Sequence, residues 1–247
     1  MPYLREIRFN WELVHDSNRY PFDIPSFRNL KFLQFKRNVT FFAGENGSGK
    51  STLLEAIAEN CGFGIKGGGR NTLLADDKDN LSLSSILTLS WLPKISNGFF
   101  LRAETFYDFA SYIDEVEESV PDPALRYHSY GGKSLHRQSH GESFLSLLQN
   151  RFGSKGIYLL DEPEAALSPQ RQLVLLSIIR RLEKSGKAQF LIASHSPILM
   201  AYPDADIYSF DCSPVGKIGY EETEHYRVTR GFLNNRHKLL EELFREG

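Results

Sequence analysis

The sequence predicts an α/β fold built on a parallel sheet, and three observations carry that expectation. Short unbroken apolar runs, Val39-Thr40-Phe41-Phe42-Ala43, Ile157-Tyr158-Leu159-Leu160 and Phe190-Leu191-Ile192-Ala193, have the length and composition of strands buried on both faces. Each run ends in a polar cluster, and the carboxyl ends of parallel strands are where such sheets place ligand-binding groups. Helical spacing follows, at Leu53, Leu54, Ile57 and Ala58 and again over residues 170–184, where Leu173, Leu176, Ile179 and Leu182 are expected to share a face.

Alternation in Leu4-Arg5-Glu6-Ile7-Arg8-Phe9 and Lys31-Phe32-Leu33-Gln34-Phe35 predicts half-exposed strands of an N-terminal antiparallel β lobe beside the parallel core. Phe99-Phe100-Leu101-Arg102 and Ile207-Tyr208-Ser209-Phe210 read as further strands, and the segment 104–148 as mostly helical. Residues 234–246 read as a charged helix whose apolar stripe is expected to be a packing face. Residues 62–80, with Gly67-Gly68-Gly69 and Asp76-Asp77-Lys78-Asp79-Asn80, are the most loop-like stretch. A length of 247 residues suits one large domain over 1–247, with residues 1–60 and 150–247 expected to form the core and 81–149 a helical lobe.

Charge nearly cancels, 29 basic residues against 31 acidic, so the chain has no global electrostatic footprint of a nucleic-acid binder. Cys61 and Cys212 are far apart and form no metal or redox motif. The residues Met1 to Glu6 lack an apolar signal core, and no window approaches a membrane span, so a cytoplasmic location is expected.

Gly44-Glu45-Asn46-Gly47-Ser48-Gly49-Lys50-Ser51-Thr52, between a strand and a helix, has the spacing of a P-loop. Glycines let successive backbone N–H groups close on phosphates, and the following helix directs its positive dipole end at the same anions. In that reading Lys50 reaches the β- and γ-phosphates and the Ser51 hydroxyl ligates Mg²⁺. Asp161 ends a strand expected to lie beside the P-loop strand and can complete the metal shell, while Glu162 can orient or deprotonate water. The competing reading of this acidic pair is a helix N-cap, since Pro163 can begin a helix.

His195 follows the third buried run. If that strand neighbours the one ending in Asp161, its imidazole points toward the γ-phosphate. Ser139-His140-Gly141-Glu142-Ser143 precedes an apolar helical stretch, and a serine and glycine at a helix start make a second anion site. One nucleotide does not need two such loops, which suggests that this one serves the nucleotide of a second copy in a twofold pair. Arg70 and Asn71 read as loop residues, Lys133 as part of the approach to Ser139, and Tyr20, Phe22 and Phe27 as core aromatics in a region where an adenine-stacking ring is also possible.

In order, Gly44 to Thr52, Ser139 to Glu142, Ile157 to Glu162, Ala165-Ala166-Leu167-Ser168 and His195 resemble the Walker A, signature, Walker B, D-loop and switch histidine of ATP-binding-cassette (ABC) ATPases. More closely, the segments around Lys50, Ser139 and Asp161-Glu162-Pro163-Glu164 are similar to small stand-alone bacterial ATPases of the "AAA family" type, akin to the heads of chromosome-structure (SMC) ATPases without the coiled-coil arm. The resemblance implies a P-loop NTPase core sheet with helices on both faces, a helical signature lobe, and an ATP-sandwich homodimer. It implies phosphate contacts from Gly44, Glu45, Asn46, Gly47, Ser48, Gly49, Lys50, Ser51 and Thr52, with Ser139, Gly141 and Glu142 facing the partner's ATP. It further implies Mg²⁺ at Ser51 and Asp161, Glu162 as catalytic base, and Lys50 and His195 acting on the γ-phosphate. Departures are His140 for a second glycine, Glu142 for a glutamine, Ser168 for an aspartate, and no clear Q-loop glutamine, for which Glu104 is the nearest substitute as a metal-side residue. The implied function is ATP hydrolysis coupled to a partner, nucleic acid or a companion protein of repair or defence. The nucleotide-binding subunit of a membrane transporter and an ATP-gated module with little turnover are the alternatives.

Overall fold

The computed structural model describes residues 1–64, 82–122, 126–152 and 155–245. Most of the loop-like stretch, with Arg70 and Asn71, lies outside the described residues, as does the side chain of His140. Strands β1 (Leu4–Phe9), β2 (Phe32–Gln34) and β3 (Val39–Ala43) come first, and β3 runs through the glycine-rich turn into α1 (Lys50–Cys61). Next come β4 (Leu87–Trp91), β5 (Gly98–Arg102), α2 (Phe106–Glu118), α3 (His140–Arg151), β6 (Gly156–Asp161) and α4 (Pro169–Lys184). The chain continues through β7 (Ala188–Ala193), a short α5 (Pro197–Met200), β8 (Asp206–Ser209), β9 (Gly216–Ile218) and α6 (Glu224–Arg245).

Two sheets result. The smaller is antiparallel in the order β2-β1-β4, and the larger has the order β5-β6-β7-β3-β8-β9, parallel as far as β8 with β9 antiparallel at its edge. Every residue of β3, β6 and β7 is buried, which is why these strands read as unbroken apolar runs: each has apolar cover on both faces. One cover layer includes Phe106, Phe144 and Ile179, and the other includes Leu54, Ile57 and Phe27.

Three expectations are corrected. The strand ending in Asp161 does not adjoin the P-loop strand, because β7 pairs with both and separates them. Register makes this productive: Asp161 and Phe42 both align with Ala193, and Arg102 aligns with Asp161, so the ends of four strands stand level. Residues 87–91 and 98–102, within the stretch assigned to the helical lobe, are strands of the two sheets; Phe99, Phe100 and Leu101 are buried in the larger one, and the helical part begins at α2. In α4 the buried face is Gln172, Leu175, Ile178 and Ile179, while Leu173 is 50% exposed. A ladder stepping by three residues drifts about 60° around a helix at each step, so Leu173 and Leu182 cannot both face the sheet.

The C-terminal helix also differs from expectation. It starts at Glu224, has a break at Asn235 (φ −131°, ψ 31°), and buries no residue. Its Val228, Leu233, Leu243 and Phe244 are 62–76% exposed, so the stripe is not a packing face among the described residues.

Candidate functional site

The glycine-rich turn is held by its backbone. Gly44, Gly47 and Gly49 have φ of 148°, 76° and 102°, a region that other residues rarely enter. At Gly49 a Cβ would stand 2.9 Å from the Phe27 ring and 3.0 Å from Ile24, two buried residues that support the turn from below. Ser26 adds a hydrogen bond from its Oγ to the Ser48 carbonyl, 2.6 Å. Asp211 accepts the Glu45 backbone N–H at 2.8 Å. The turn borders a cleft of about 640 Å³ lined by Tyr20, Asn46, Lys50, Ser51, Asp161 and Glu162, among others.

Lys50 is 3% exposed and donates to the carbonyls of Gly44 (2.7 Å) and Glu45 (2.8 Å). Burial pulls its pKa down, opposed by the charges of Glu162, Asp211, Asp161 and Glu45. An ammonium bonded to loop carbonyls is poised to move onto an anion entering the loop, since phosphate oxygens are the stronger acceptors. Next to it, Ser51 Oγ donates to Asp161 Oδ1 at 2.9 Å.

Asp161 is 2% exposed, and burial pushes its pKa up to about 6 against the pull of Arg102 and the Ser51 hydrogen bond. Arg102 Nε lies 3.4 Å from Asp161 Oδ2, and the guanidinium also contacts Glu55 and Glu104. A buried carboxylate beside a hydroxyl, facing a cleft, fits Mg²⁺, a hard cation that takes one or two protein oxygens and fills its shell with phosphate and water. Among the described residues no cluster of three acidic, histidine or cysteine side chains could hold a metal ion by itself. The Glu104 carboxylate lines the cleft but is 79% exposed and engages Arg102.

Glu162 has φ 47° and ψ 50°, a left-handed conformation uncommon outside glycine and typical of residues whose side chain must be aimed. Pro163 does begin a short turn, yet the Glu162 side chain makes no capping hydrogen bond. Its Oε1 lies 3.2 Å from His195 Nε2 instead. His195 comes off the end of β7, the strand neighbouring β6, as the sequence reading required. Glu164 Oε1 accepts from Ser194 Oγ (2.9 Å) and the His195 backbone N–H (2.5 Å), fixing the turn that carries the imidazole. Burial, then the charge of Lys50, lowers the His195 pKa and favours the neutral ring.

Ser139 is the N-cap of α3, and its backbone N–H donates to Glu142 Oε2 at 3.2 Å. Arg171, in the first turn of α4, reaches both residues: Nη2 to Glu142 Oε1 at 3.2 Å and Nη1 to Ser139 Oγ at 3.3 Å. A Cβ on Gly141 would meet Arg171 Nη1 at 2.5 Å and the Ala166 carbonyl at 3.0 Å. Ser139, Gly141 and Glu142 do not line the cleft that holds Lys50 and Asp161.

Comparison with known proteins accords with this geometry. A family model described as "AAA domain" matches residues 23–86, and one described as "AAA domain, putative AbiEii toxin, Type IV TA system" matches residues 143–201. A "Putative ABC transporter ATP-binding protein" of Bacillus cereus (strain ATCC 10987 / NRS 248) is 25% identical over 90% of the chain. The "Ribose import ATP-binding protein RbsA" of Bacillus cereus (strain ZK / E33L) is 23% identical over 83%. The chain spans only 40% and 44% of the length of these two relatives. Among solved structures, an SMC head bound to the C-terminal winged-helix domain of ScpA shares the fold with a TM-score of 0.53 at 14% identity, covering 90% of this chain and 99% of that one. CbiO1 of Clostridium perfringens, part of the transporter complex CbiONQ, gives 0.51 at 19% identity, covering 98% and 100%.

The chain is similar to ATPases of the ABC/AAA type. Beside the motif residues, the tertiary structure adds Arg102 against Asp161, Arg171 against Glu142, Glu164 under His195 and His225 beside it. The available signal for Arg102 was its place at the end of an apolar strand, like Asp161. Arg171 and His225 are surface-helix residues in sequence and carry none. Phe22 and Phe27 are core residues as expected, whereas Tyr20 is 65% exposed at the cleft, its hydroxyl 3.2 Å from Thr52 Oγ1.

Glu142, the acidic departure from the pattern that the resemblance implies, is balanced by Arg171. Hydrogen bonds from Ser139 lower its pKa, with Arg171 adding to them. Arg171→Ala is expected to cut turnover on the order of tenfold, the equivalent of one charge-assisted hydrogen bond. The double variant Arg171→Ala/Glu142→Gln should recover most of it. Steady-state kinetics check both, and an unrecovered double variant would show that Arg171 matters for something other than Glu142.

Proposed function

We propose that the ATPase binds Mg-ATP in the cleft and hydrolyses it in a homodimer in which each nucleotide lies between the P-loop of one copy and the signature of the other. The observation that supports this reading best is the placement of Glu162. Its carboxylate sits at the strand-end level of Asp161, is free of capping, and faces His195. Gly44 to Thr52 would hold the triphosphate, with Lys50 leaving its loop carbonyls for the β- and γ-phosphates. Ser51 and Asp161 would hold Mg²⁺, which supplies charge neutralisation of the phosphates; Glu104 joins them only if Arg102 withdraws. Tyr20 offers an exposed ring for the base. Glu162 takes up a proton from the attacking water and His195 Nε2–H donates to the γ-phosphate, both steps being mainly positional in phosphoryl transfer.

A second copy is supported by Ser139, Gly141 and Glu142 not lining the cleft of their own chain. Mixing two inactive variants tests it. Lys50→Ala removes the P-loop cation and Ser139→Arg blocks the signature, so a mixed dimer keeps one site whole. An equimolar mixture is expected to regain about a quarter of wild-type turnover, since half the dimers are mixed and each has one good site. A mixture as inactive as its components would overturn the sandwich.

The coupled partner is proposed as nucleic acid or a companion protein. A transporter role has the names of the relatives in its favour, and no helix among the described residues is long and apolar enough to cross a membrane. Stimulation of turnover by DNA or RNA, fading steeply with salt, would favour the first reading; stimulation only by a membrane protein in liposomes would favour the second.

A further inference from the structure

His225 lies beside His195 although the two are thirty residues apart in sequence. Its Nε2 is 2.9 Å from His195 Nδ1, and the rings meet edge to face with centroids 4.9 Å apart. The contact is built from several sides. Thr223, 1% exposed, accepts the Tyr226 backbone N–H and so starts α6 two residues before His225. The Tyr220 hydroxyl donates to the Pro197 carbonyl at 3.0 Å, fastening the turn before α6 to the segment just after His195. On the opposite side of His195, Nε2 faces Glu162 Oε1 at 3.2 Å.

Hydrogen-bond accounting then settles the protons. A carboxylate oxygen accepts only, so the His195 nitrogen that faces Glu162 must donate. A neutral imidazole carries one N–H, which leaves Nδ1 as an acceptor, and the atom facing it, His225 Nε2, must be the donor. The direction is thus His225 Nε2–H to His195 Nδ1, and His195 Nε2–H to Glu162. Lys50 and Glu162 across the cleft, Glu164 beneath the backbone, and His225 on α6 are the charged or titratable groups that face His195.

We propose that His225 is a positioning residue for the switch histidine: its Nε2–H holds His195 in the Nε2-protonated tautomer and aims that N–H at Glu162 and the phosphate end of the cleft. This rests on the hydrolytic reading above for its catalytic consequence, but not for the tautomer itself. The consequence is that the first turn of α6, a helix with no buried residue, is joined to the reaction centre by one hydrogen bond.

Two variants separate the hydrogen bond from simple packing. His225→Phe keeps a ring and removes the donor, while His225→Gln restores an N–H donor on a flexible side chain. In nucleotide-free protein, ¹⁵N NMR of the His195 ring is expected to show a single Nε2-protonated tautomer in the wild type and in His225→Gln, and a mixture in His225→Phe. In steady-state kinetics with Mg-ATP, His225→Phe should lower kcat about tenfold with KM unchanged, and His225→Gln should recover most of the loss. An unchanged His195 tautomer in His225→Phe would overturn the proposal, as would a Gln variant as impaired as Phe. The NMR result stands apart from hydrolysis: a wild type without turnover would sink the functional reading while the tautomer measurement still decides the role of His225.

Discussion

Glu162→Gln is expected to lower ATP turnover by about 10²- to 10⁴-fold, the usual worth of a positioned general base, while leaving nucleotide affinity close to wild type. The amide matches the carboxylate in shape, and its carbonyl oxygen can still accept the His195 Nε2–H that now lies 3.2 Å from Oε1. What it loses is the capacity to take a proton from water. Because Lys50, Ser51 and Asp161 are untouched, ATP still enters, and the uncleaved nucleotide should trap the closed pair of subunits. Light scattering with saturating Mg-ATP is then expected to show a dimer, and the same sample in ADP a monomer. A variant that hydrolyses ATP normally, or stays monomeric at saturating ATP, would sink both the assignment of Glu162 and the sandwich built on it.

Asp161→Asn is expected to abolish turnover and, without nucleotide or metal, to make the fold more stable at neutral and alkaline pH. Burial raises the Asp161 pKa from 3.8 to about 6 in the folded chain. The folded state therefore binds more protons than the unfolded state between those values. By linkage, its stability contribution is fully present below pH 3.8, declines as pH rises through about 6, and is absent above it. The shift corresponds to at most about 3 kcal/mol. Asparagine stays neutral throughout and can accept the Ser51 hydroxyl bond, and Arg102 keeps Glu55 and Glu104 as partners. In EDTA, the Tm of Asp161→Asn should exceed that of the wild type at about pH 8, with the gap narrowing toward about pH 5. A variant less stable at both values would mean that the Arg102 and Ser51 contacts outweigh the cost of the buried charge.

The strands and motifs were legible because their causes are local. Burial on both faces demands the unbroken apolar residues of Val39–Ala43 and Ala188–Ala193, and a turn with φ above zero demands Gly44, Gly47 and Gly49. The order of strands was less so. The strand that carries His195 intervenes between those that carry Lys50 and Asp161, and nothing in an apolar run states its neighbours. The face of α4 was misjudged because a three-residue ladder and the 3.6-residue turn diverge over a helix of that length. The apolar stripe of α6 was real, but whether a stripe is covered depends on what lies opposite it.

The sequence by itself determined that this chain has a phosphate-binding turn, a pair of acidic groups after a buried strand, a histidine after another and a serine-glycine helix start, because each is a contiguous pattern with a local physical reason. Only the tertiary structure decided which side chains answer them: Arg102 for Asp161, Arg171 for Glu142, Glu164 and His225 for His195. Each of those partners sits on a different element from the group it serves. Charges and hydrogen bonds act over a few ångströms of space, and the fold alone brings residues 29 or more positions apart within that reach.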